Sequence, residues 1–160
     1  MPADFSIKNE VAIVTGASAG LGRHFAKVLA ASGAKVAVCA RRRDPLDELA
    51  DEIRSAGGIA LPVELDVTDS ASVAAAVDLA VSGLGPVSIL INNAGLAIDK
   101  PLLETSDDDW DRVLDTNLKG AWMMARETAR HMMAAGIEGK MVNIASILGV
   151  TATPRVHSYA

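Results

Sequence analysis

The stretch Val11–Gly22 reads VAIVTGASAGLG, in which an apolar run passes directly into a glycine-rich turn, Thr15–Gly22. The run is short, continuous and rich in β-branched residues, and this pattern predicts a buried strand. The glycines let the backbone turn sharply and let a ligand approach it closely. A helical pattern follows at once, so the positive end of its dipole would face the same turn. Strand, glycine turn and helix N-terminus together predict a phosphate site.

The spacing of the glycines in this turn is G-x-x-x-G-x-G. It differs from the G-x-G-x-x-G dinucleotide pattern and from the P-loop, which needs a Gly-Lys-Ser/Thr ending. Considered alone, the stretch therefore leaves a purely structural turn as the alternative to a phosphate site.

The composition is that of a globular protein that is acidic overall. Hydrophobic residues make up 50% of the 160 residues, charged residues make up 22%, and the formal net charge is −5. This balance argues against a general nucleic-acid partner, which usually meets a basic patch. No apolar run approaches the ~20 residues that span a bilayer, so we expect no membrane partner.

The N-terminus and the cysteine usage predict a cytoplasmic protein. Residues 1–10 carry acidic side chains and no long apolar core, unlike a secretory signal. Cys39 is the single cysteine, which excludes an internal disulfide and fits a reducing compartment. The histidines His24, His131 and His157 show no ligand spacing, and we predict no metal site.

Short apolar runs alternate with longer helical patterns along the chain. This alternation predicts an α/β fold with a doubly wound, parallel, Rossmann-like sheet and helices on both faces. We expect residues 1–160 to form a single domain, because no linker or repeat interrupts the pattern. The predicted strands are Val11–Thr15, Lys35–Ala40, Ile59–Leu65, Ser88–Asn92 and Lys140–Ala145. The predicted helices are Leu21–Ala31, Pro45–Ser55, Asp69–Ser82 and a long stretch, Asp107–Ala135, broken near Asn117.

Two helix starts carry capping signals. Asp44 before Pro45 predicts an N-cap followed by a proline at the first helical position. Ser106 and Asp109 have the spacing of a capping box. An apolar stripe along the last helix is predicted to face the core or a subunit interface. Its members are Leu118, Trp122, Ala125, Ala129 and Met132.

Further motifs follow the glycine turn in a fixed order. Leu65-Asp66-Val67 follows the third predicted strand, and Asn92-Asn93-Ala94-Gly95 ends the fourth. Asn117, Ser146 and Tyr159 come next. In order and spacing this series resembles the classical short-chain dehydrogenases/reductases, and the resemblance covers essentially the whole chain.

The resemblance implies an enzyme that transfers a hydride between a nicotinamide cofactor and an alcohol or ketone. It implies Tyr159 as general acid, Ser146 as the holder of the substrate oxygen and Asn117 as the holder of a water in a proton relay. It also implies a homodimer or homotetramer for the full-length form. The residues implied to bind the cofactor are Gly16, Ser18, Ala19, Gly20, Leu21, Gly22, Arg41, Arg42, Asp66, Val67, Asn93, Ala94 and Gly95.

Several of these residues have plainer interpretations when they are taken one at a time. Ser18 can bond its own turn, Asp66 can cap the next helix, and Asn117 can mark a helix kink. Asn92 is expected to bond neighbouring backbone and so stabilise the sheet. A methyltransferase-like domain would leave Ser146 and Tyr159 without an explanation.

The basic run Arg41-Arg42-Arg43 directly follows the second predicted strand. In such folds an acidic residue there bonds the 2′-hydroxyl of NAD, whereas an arginine accommodates the 2′-phosphate of NADP. Ala40 stands at the acidic position and Arg41 comes next, so the sequence favours NADP, with NAD as the alternative. A solvated basic run is the plainer interpretation.

The chain departs from the family pattern at its end. The family places a lysine after the tyrosine, as Tyr-x-x-x-Lys, and that position lies beyond Ala160. The resemblance therefore implies the N-terminal portion of a longer enzyme, without the usual C-terminal strands. A catalytically inactive dinucleotide-binding fragment is the alternative hypothesis.

Overall fold

The structure, a computed structural model, describes residues 6–151 and 153–159. Its strands are Val11–Thr15 (β1), Lys35–Ala40 (β2), Ile59–Glu64 (β3), Ile89–Asn92 (β4) and Lys140–Asn143 (β5). They form one parallel sheet in the spatial order β3-β2-β1-β4-β5. The predicted doubly wound parallel sheet is confirmed. β1 and β2 have the predicted bounds, whereas β3, β4 and β5 are shorter than predicted.

Helices cover both faces of this sheet. They are Gly20–Ala31 (α1), Arg43–Ser55 (α2), Ser70–Leu84 (α3), Asp107–Leu114 (α4) and Ala121–Ala135 (α5). Alternate residues of β1 face opposite sides, as the two-residue period of a strand requires. Ala12 and Val14 pack with α1 and α2, whereas Val11 and Ile13 pack with α3 and α5. The central strand is thus buried from both sides.

The direction in which the chain adds strands to the sheet reverses between β1 and β4. From β1 the chain moves outward to β2 and β3, and it then returns to the other side of β1 to form β4. In open parallel sheets the crevice at such a switch point, outside the carboxyl ends of the strands, is where ligands bind. The glycine turn leaves β1 at this crevice.

The start of α2 corrects one prediction. Asp44 is not the N-cap, because α2 begins at Arg43 and Arg42 occupies the cap position without a capping side chain. Pro45 therefore lies inside the first turn. The backbone N–H groups of a first turn have no partner within the helix, so a proline is tolerated there as well as at the first position.

The long predicted helix is broken where the sequence analysis placed the break. A π-helical turn, Asp115–Gly120, separates α4 from α5 and contains Asn117. Such turns are often found at functional sites. Short 3₁₀ turns also lie at Leu102–Glu104 and Ile147–Gly149.

The members of the apolar stripe predicted on the last helix divide between the core and the surface. Met132 is buried, but the exposed fractions of Leu118 and Trp122 are 67% and 55%. The face of α5 that enters the core carries Met124 and Thr128 instead, and Thr128 is fully buried. Because Thr128 is polar, the buried face of α5 does not show as a continuous apolar stripe in the sequence.

No helix within residues 6–151 and 153–159 is long and apolar enough to cross a membrane.

The predicted capping box at the start of α4 is confirmed. Ser106 Oγ accepts a hydrogen bond from Asp109 N, and Asp109 Oδ2 accepts one from Ser106 N, each at 3.1 Å. The Lys100 Nζ atom also donates to Asp109 Oδ2, at 2.6 Å. The hydrogen bond from Lys100, followed by that from Ser106, lowers the pKa of Asp109 from 3.8 to about 2.

Replacement of Asp109 by Asn should make the free energy of unfolding less dependent on pH. The folded-state pKa lies below the ordinary value, so the carboxylate stabilises the fold above that value and the contribution is lost as pH falls toward 2. We expect urea denaturation to show a steeper decline for the wild type than for Asp109→Asn between about pH 5 and pH 2. Asp111→Asn, on the exposed side of the same helix, should keep the wild-type slope. Parallel curves for the wild type and Asp109→Asn would contradict this assignment.

Candidate functional site

A cavity of about 810 Å³ opens at the carboxyl ends of β1, β2 and β4. Its volume lies in the range usual for small-molecule and cofactor sites. The predicted cofactor residues that line it are Gly16, Ser18, Ala19, Gly20, Arg41, Arg42, Asp66, Val67, Asn93, Ala94 and Gly95. Leu21 and Gly22 belong to the first turn of α1, where Leu21 is exposed and Gly22 is buried. The structure thus brings together motifs that lie far apart in the sequence.

The glycine turn forms one wall of the cavity. Gly16 and Gly20 have positive φ angles of 67° and 56°, which glycine adopts without strain. A Cβ atom on Gly16 would lie 2.9 Å from both Ala94 Cα and Asn93 Nδ2, so only glycine fits. A Cβ atom on Gly22 would overlap with Asn93 and with the Gly16 carbonyl group.

The N-terminus of α1 lies at this wall, and no acidic side chain of its cap or first turn compensates its positive end. Ala19 is its N-cap and offers no capping side chain, and the first turn carries no acidic residue. The unpaired N–H groups and the helix dipole therefore remain available to an anion. The pyrophosphate of a dinucleotide fits this cradle in charge and in the close approach it requires.

Thr15 joins the glycine turn to the segment that follows β4. Its Oγ1 atom donates to Ile91 O and accepts from Asn93 N and Ala94 N, the last two at 3.0 Å. The Asn93 Nδ2 atom donates back to Thr15 O at 2.9 Å and to Gly16 O at 3.3 Å. The side chain of Asn93 thus holds the turn in place, and the residue lines the cavity beside it.

Asn92, the preceding residue, stabilises the sheet as expected. Its Nδ2 atom donates to Ala121 O at 3.1 Å and to Asn143 Oδ1 at 3.0 Å. It therefore joins the end of β4 to α5 and to β5.

The end of the cavity beyond β2 and β3 combines an acid with two arginines. Asp66 Oδ1 accepts hydrogen bonds from Thr68 N and Thr68 Oγ1, at 2.9 and 2.8 Å. These bonds, and to a smaller degree the positive charge of Arg41, lower the pKa of Asp66. The structure therefore supports the turn role of Asp66, and the same residue also lines the cavity as the resemblance implies.

The three arginines after β2 separate into two groups. Arg41 and Arg42 line the cavity. The Nε atom of Arg43 donates to both carboxylate oxygens of Asp47, each at 2.9 Å, and Arg43 is outside the cavity lining. This ion pair lies on the outer surface of α2, so Arg43 serves as a natural comparison for the other two.

Asn117 connects the π-helical turn to the loop after β4. Its Nδ2 atom donates to Leu96 O at 2.8 Å, and its Oδ1 atom accepts from Leu96 N at 2.9 Å. Both ends of the amide are thus committed to one backbone residue. The side chain accounts for a kinked helix and a fixed loop.

Ser146 and Tyr159 lie outside the lining of this cavity. Ser146 follows β5, and its Oγ atom accepts from Leu148 N at 3.2 Å at the start of a 3₁₀ turn. Tyr159 is half-buried, and its backbone N donates to Val156 O at 3.0 Å. The position of a lysine after Tyr159 lies outside the chain.

The segment that carries Tyr159 is fastened to the loop after β4. The Lys100 backbone N donates to Arg155 O at 2.8 Å, and Arg155 Nε donates to Asp99 Oδ1 at 2.5 Å. Since Asn117 fixes Leu96 at the other end of this loop, the loop connects the π-helical turn with the tyrosine segment.

Sequence reasoning missed some residues of the cavity wall. Leu96 and Thr116 line the cavity. Leu96 directly follows the Asn-Asn-Ala-Gly motif and Thr116 directly precedes Asn117, and this adjacency is the sequence signal that could have identified them. Cys39 also lines the cavity, and burial raises the pKa of its thiol to about 12. The thiol is therefore protonated and serves as an apolar part of the wall.

Comparison with known proteins identifies the family. The sequence matches the short chain dehydrogenase family over residues 10–160. The chain belongs to this family. Membership implies a nicotinamide dinucleotide, NAD or NADP, as the cofactor.

Relatives and solved structures agree with this family. The chain is 39% identical to a gluconate 5-dehydrogenase of Gluconobacter oxydans over 155 residues, which cover 97% of the chain and 60% of that protein. It is 42% identical to a cis-4-hydroxycyclohexanecarboxylate dehydrogenase of Sinomonas cyclohexanicum over 151 residues, with 94% and 60% covered. A crystal structure of a putative short-chain alcohol dehydrogenase from Sinorhizobium meliloti superposes with a TM-score of 0.92 at 37% identity, and covers 97% of this chain and 61% of that one. The chain thus spans about 60% of the length of these curated relatives.

Replacement of Thr15 by Val should destabilise the fold and weaken dinucleotide binding. Valine has nearly the same shape but leaves Asn93 N and Ala94 N without their acceptor, at a cost of about 1–3 kcal/mol. Urea denaturation and a fluorescence titration with NADPH measure the two effects. Thr15→Ser keeps the hydroxyl and should stay close to the wild type in both. Equal stability of the Val and Ser variants would show that the hydroxyl is dispensable.

Proposed function

We propose that the protein containing this chain is an NAD(P)-dependent oxidoreductase that acts on an alcohol or a ketone. The observation that carries the proposal is the cavity at the sheet switch point, where an uncapped helix N-terminus meets the glycine turn. The relatives named above are dehydrogenases of hydroxy acids, and this supports a small substrate with a secondary hydroxyl group. Residues 1–160 form one nucleotide-binding domain in this proposal.

A nicotinamide dinucleotide bound at this site supplies or accepts the hydride. The chain contributes the binding and the proton chemistry. Gly16, Gly20 and the first turn of α1 hold the pyrophosphate, with Ser18, Ala19, Leu21 and Gly22 around it. Asp66 and Val67 contact the adenine, and Asn93, Ala94 and Gly95 contact the ribose.

Tyr159, Ser146 and Asn117 carry the proton chemistry in this proposal. During reduction the Tyr159 hydroxyl donates its proton to the substrate oxygen, which becomes the hydroxyl of the product alcohol. The Ser146 hydroxyl donates a hydrogen bond to the same oxygen and fixes its position. Asn117 holds the loop and the helix turn from which a water reaches the tyrosine. The polarity of these residues and their order along the chain, with Asn117 before α5 and with Ser146 and Tyr159 after β5, support the assignment.

NADP is the preferred cofactor in this proposal. Arg41 and Arg42 line the cavity beyond the end of β2, where the adenosine ribose of a dinucleotide lies. Guanidinium groups match a 2′-phosphate in charge and in geometry. Ala40 offers no carboxylate for the 2′-hydroxyl of NAD.

The full-length protein forms a homodimer or homotetramer through α5 in this proposal. Trp122 and Leu118 have large exposed fractions on neighbouring positions of the π-helical turn and α5. Exposed apolar groups of this size are typical of contact surfaces. The Arg126 guanidinium lies 4.4 Å from the centroid of the Trp122 ring and orders this surface.

Replacement of Arg41 by Asp should exchange the cofactor preference. The carboxylate repels a 2′-phosphate and accepts from a 2′-hydroxyl, so we expect the NADPH dissociation constant to rise about 10- to 100-fold and the NADH constant to stay or fall. Isothermal titration with each dinucleotide measures both constants. Arg43→Ala, which removes a charge outside the cavity, should leave both constants within about twofold of the wild type. An unchanged ratio of the two constants in Arg41→Asp would refute the assignment.

Replacement of Tyr159 by Phe should strongly reduce kcat and leave cofactor binding intact. Removal of a general acid lowers rates by about 10²–10⁴-fold. The test uses the full-length protein and NADP-dependent oxidation of gluconate and of hydroxycyclohexanecarboxylate. Thr153→Ala removes an exposed hydroxyl from the same segment and should keep the wild-type kcat. Wild-type turnover by Tyr159→Phe would exclude the tyrosine as the proton donor.

A further inference from the structure

Two residues alone join β2 to α2, and they are the arginines that face the cavity. β2 ends at Ala40 and α2 begins at Arg43, so Arg41 and Arg42 form the whole connection. Their backbone position is therefore set by the end of the strand on one side and by the start of the helix on the other.

The end of β2 is fixed by hydrogen bonds of the sheet and of the glycine turn. Ala17 N donates to Cys39 O at 3.0 Å, and Leu65 N donates to Ala40 O at 2.9 Å. The strand end thus keeps a constant distance from the glycine turn.

The start of α2 has weaker local support. Arg42 occupies its N-cap without a capping hydrogen bond from a side chain. The apolar face of α2, with Leu46, Leu49 and Ile53, holds the helix on the sheet. The last turn of α2 also has a directional contact, because Arg54 Nη2 donates to Ala60 O at 2.9 Å, whereas the N-cap of its first turn has no side-chain hydrogen bond.

Arg23 supplies a directional contact to α2. It lies in α1, directly after Gly22, and its side chain crosses to the neighbouring helix. The Nη1 atom donates to Pro45 O in the first turn of α2 at 3.4 Å, and the Nη2 atom donates to Glu52 Oε1 at 2.5 Å. One guanidinium thus joins the anion-binding end of α1 to two points along α2.

The Arg23 side chain is more enclosed than that of Lys27, although Glu52 is 47% exposed. The exposed fraction of the Arg23 side chain is 25%, against 54% for Lys27, which also donates to Glu52. The hydrogen bonds from Lys27 and Arg23 lower the pKa of Glu52, which therefore stays ionised at neutral pH. A planar guanidinium can serve both acceptors at once, whereas an ammonium group cannot hold this fork geometry.

We propose that Arg23 is a positioning residue for cofactor selectivity, because it fixes α2, and with it Arg41 and Arg42, relative to the anion-binding turn of α1. The inference rests on the proposed NADP-dependent function and adds a residue outside the cavity lining. Without Arg23, the start of α2 shifts, and the arginines contact a 2′-phosphate less well. The pyrophosphate and nicotinamide ends of the site do not depend on this contact.

The test compares dissociation constants of NADPH and NADH by isothermal titration. Arg23→Met keeps the apolar stem and removes the guanidinium. We expect it to weaken NADPH binding about three- to tenfold and to leave NADH binding within about twofold, so that the ratio of the two constants changes. Glu52→Gln weakens the same bridge from the side of α2 and should change the ratio in the same direction. Arg23→Lys should restore part of the lost selectivity.

Lys27→Met is the matched control. It removes a cation that pairs with Glu52 but does not contact the first turn of α2, so it should leave the ratio unchanged. Equal weakening of NADPH and NADH in Arg23→Met, or no change in either, would overturn the inference. So would a wild-type protein without an NADPH preference. A wild-type protein that binds neither dinucleotide would overturn the proposed function itself, and with it this inference.

Discussion

The side chain of Thr15 is the contact on which the site depends most. The residue is 1% exposed at the end of the central strand, and its hydroxyl group serves one carbonyl and two N–H groups beyond β4. Buried backbone groups without hydrogen-bond partners are costly. This one hydroxyl supplies partners for backbone groups at the ends of two adjacent strands, where the chain turns sharply away from the sheet. Asn93 completes the arrangement by bonding the backbone of the turn.

This fixed junction leaves the helix dipole of α1 unopposed at the crevice. Ala19 caps the helix without a side-chain oxygen, and glycines keep Cβ atoms out of the approach. A protein that used this turn only structurally would gain stability from Ser, Thr or Asp at the cap. The absence of such a cap in the described turn costs stability and keeps the N–H groups available, which favours a ligand-binding role over a structural turn.

The fold could be predicted from the sequence because its strands are continuous apolar runs separated by helical periods. The errors arose where tertiary contacts overrode local signals. Asp44 has the chemistry of a cap, yet α2 starts two residues earlier than predicted, at Arg43, with Arg42 at the cap position. Thr128 looks like a surface residue but lies in the core. For the candidate site, motif order predicted which residues line the cavity, but a sequence alone does not reveal that the Asn117 amide is taken up by Leu96.

The π-helical turn links the wall of the cavity at Val67 to the loop that is bonded to the segment of Tyr159. Gly120, in this turn, packs against Val67 so closely that a Cβ atom would lie 2.8 Å from Val67 Cγ2. The side chain of Asn117, in the same turn, hydrogen-bonds to the backbone of Leu96. The loop that begins there continues to Lys100, whose backbone N donates to Arg155 O. An uninterrupted α-helix would present these positions at a different rotation, since its period is fixed at 3.6 residues per turn. The extra residue of the π turn therefore lets one helical segment contact Val67 in the cavity wall and, at Leu96, the loop that is bonded to the segment of Tyr159.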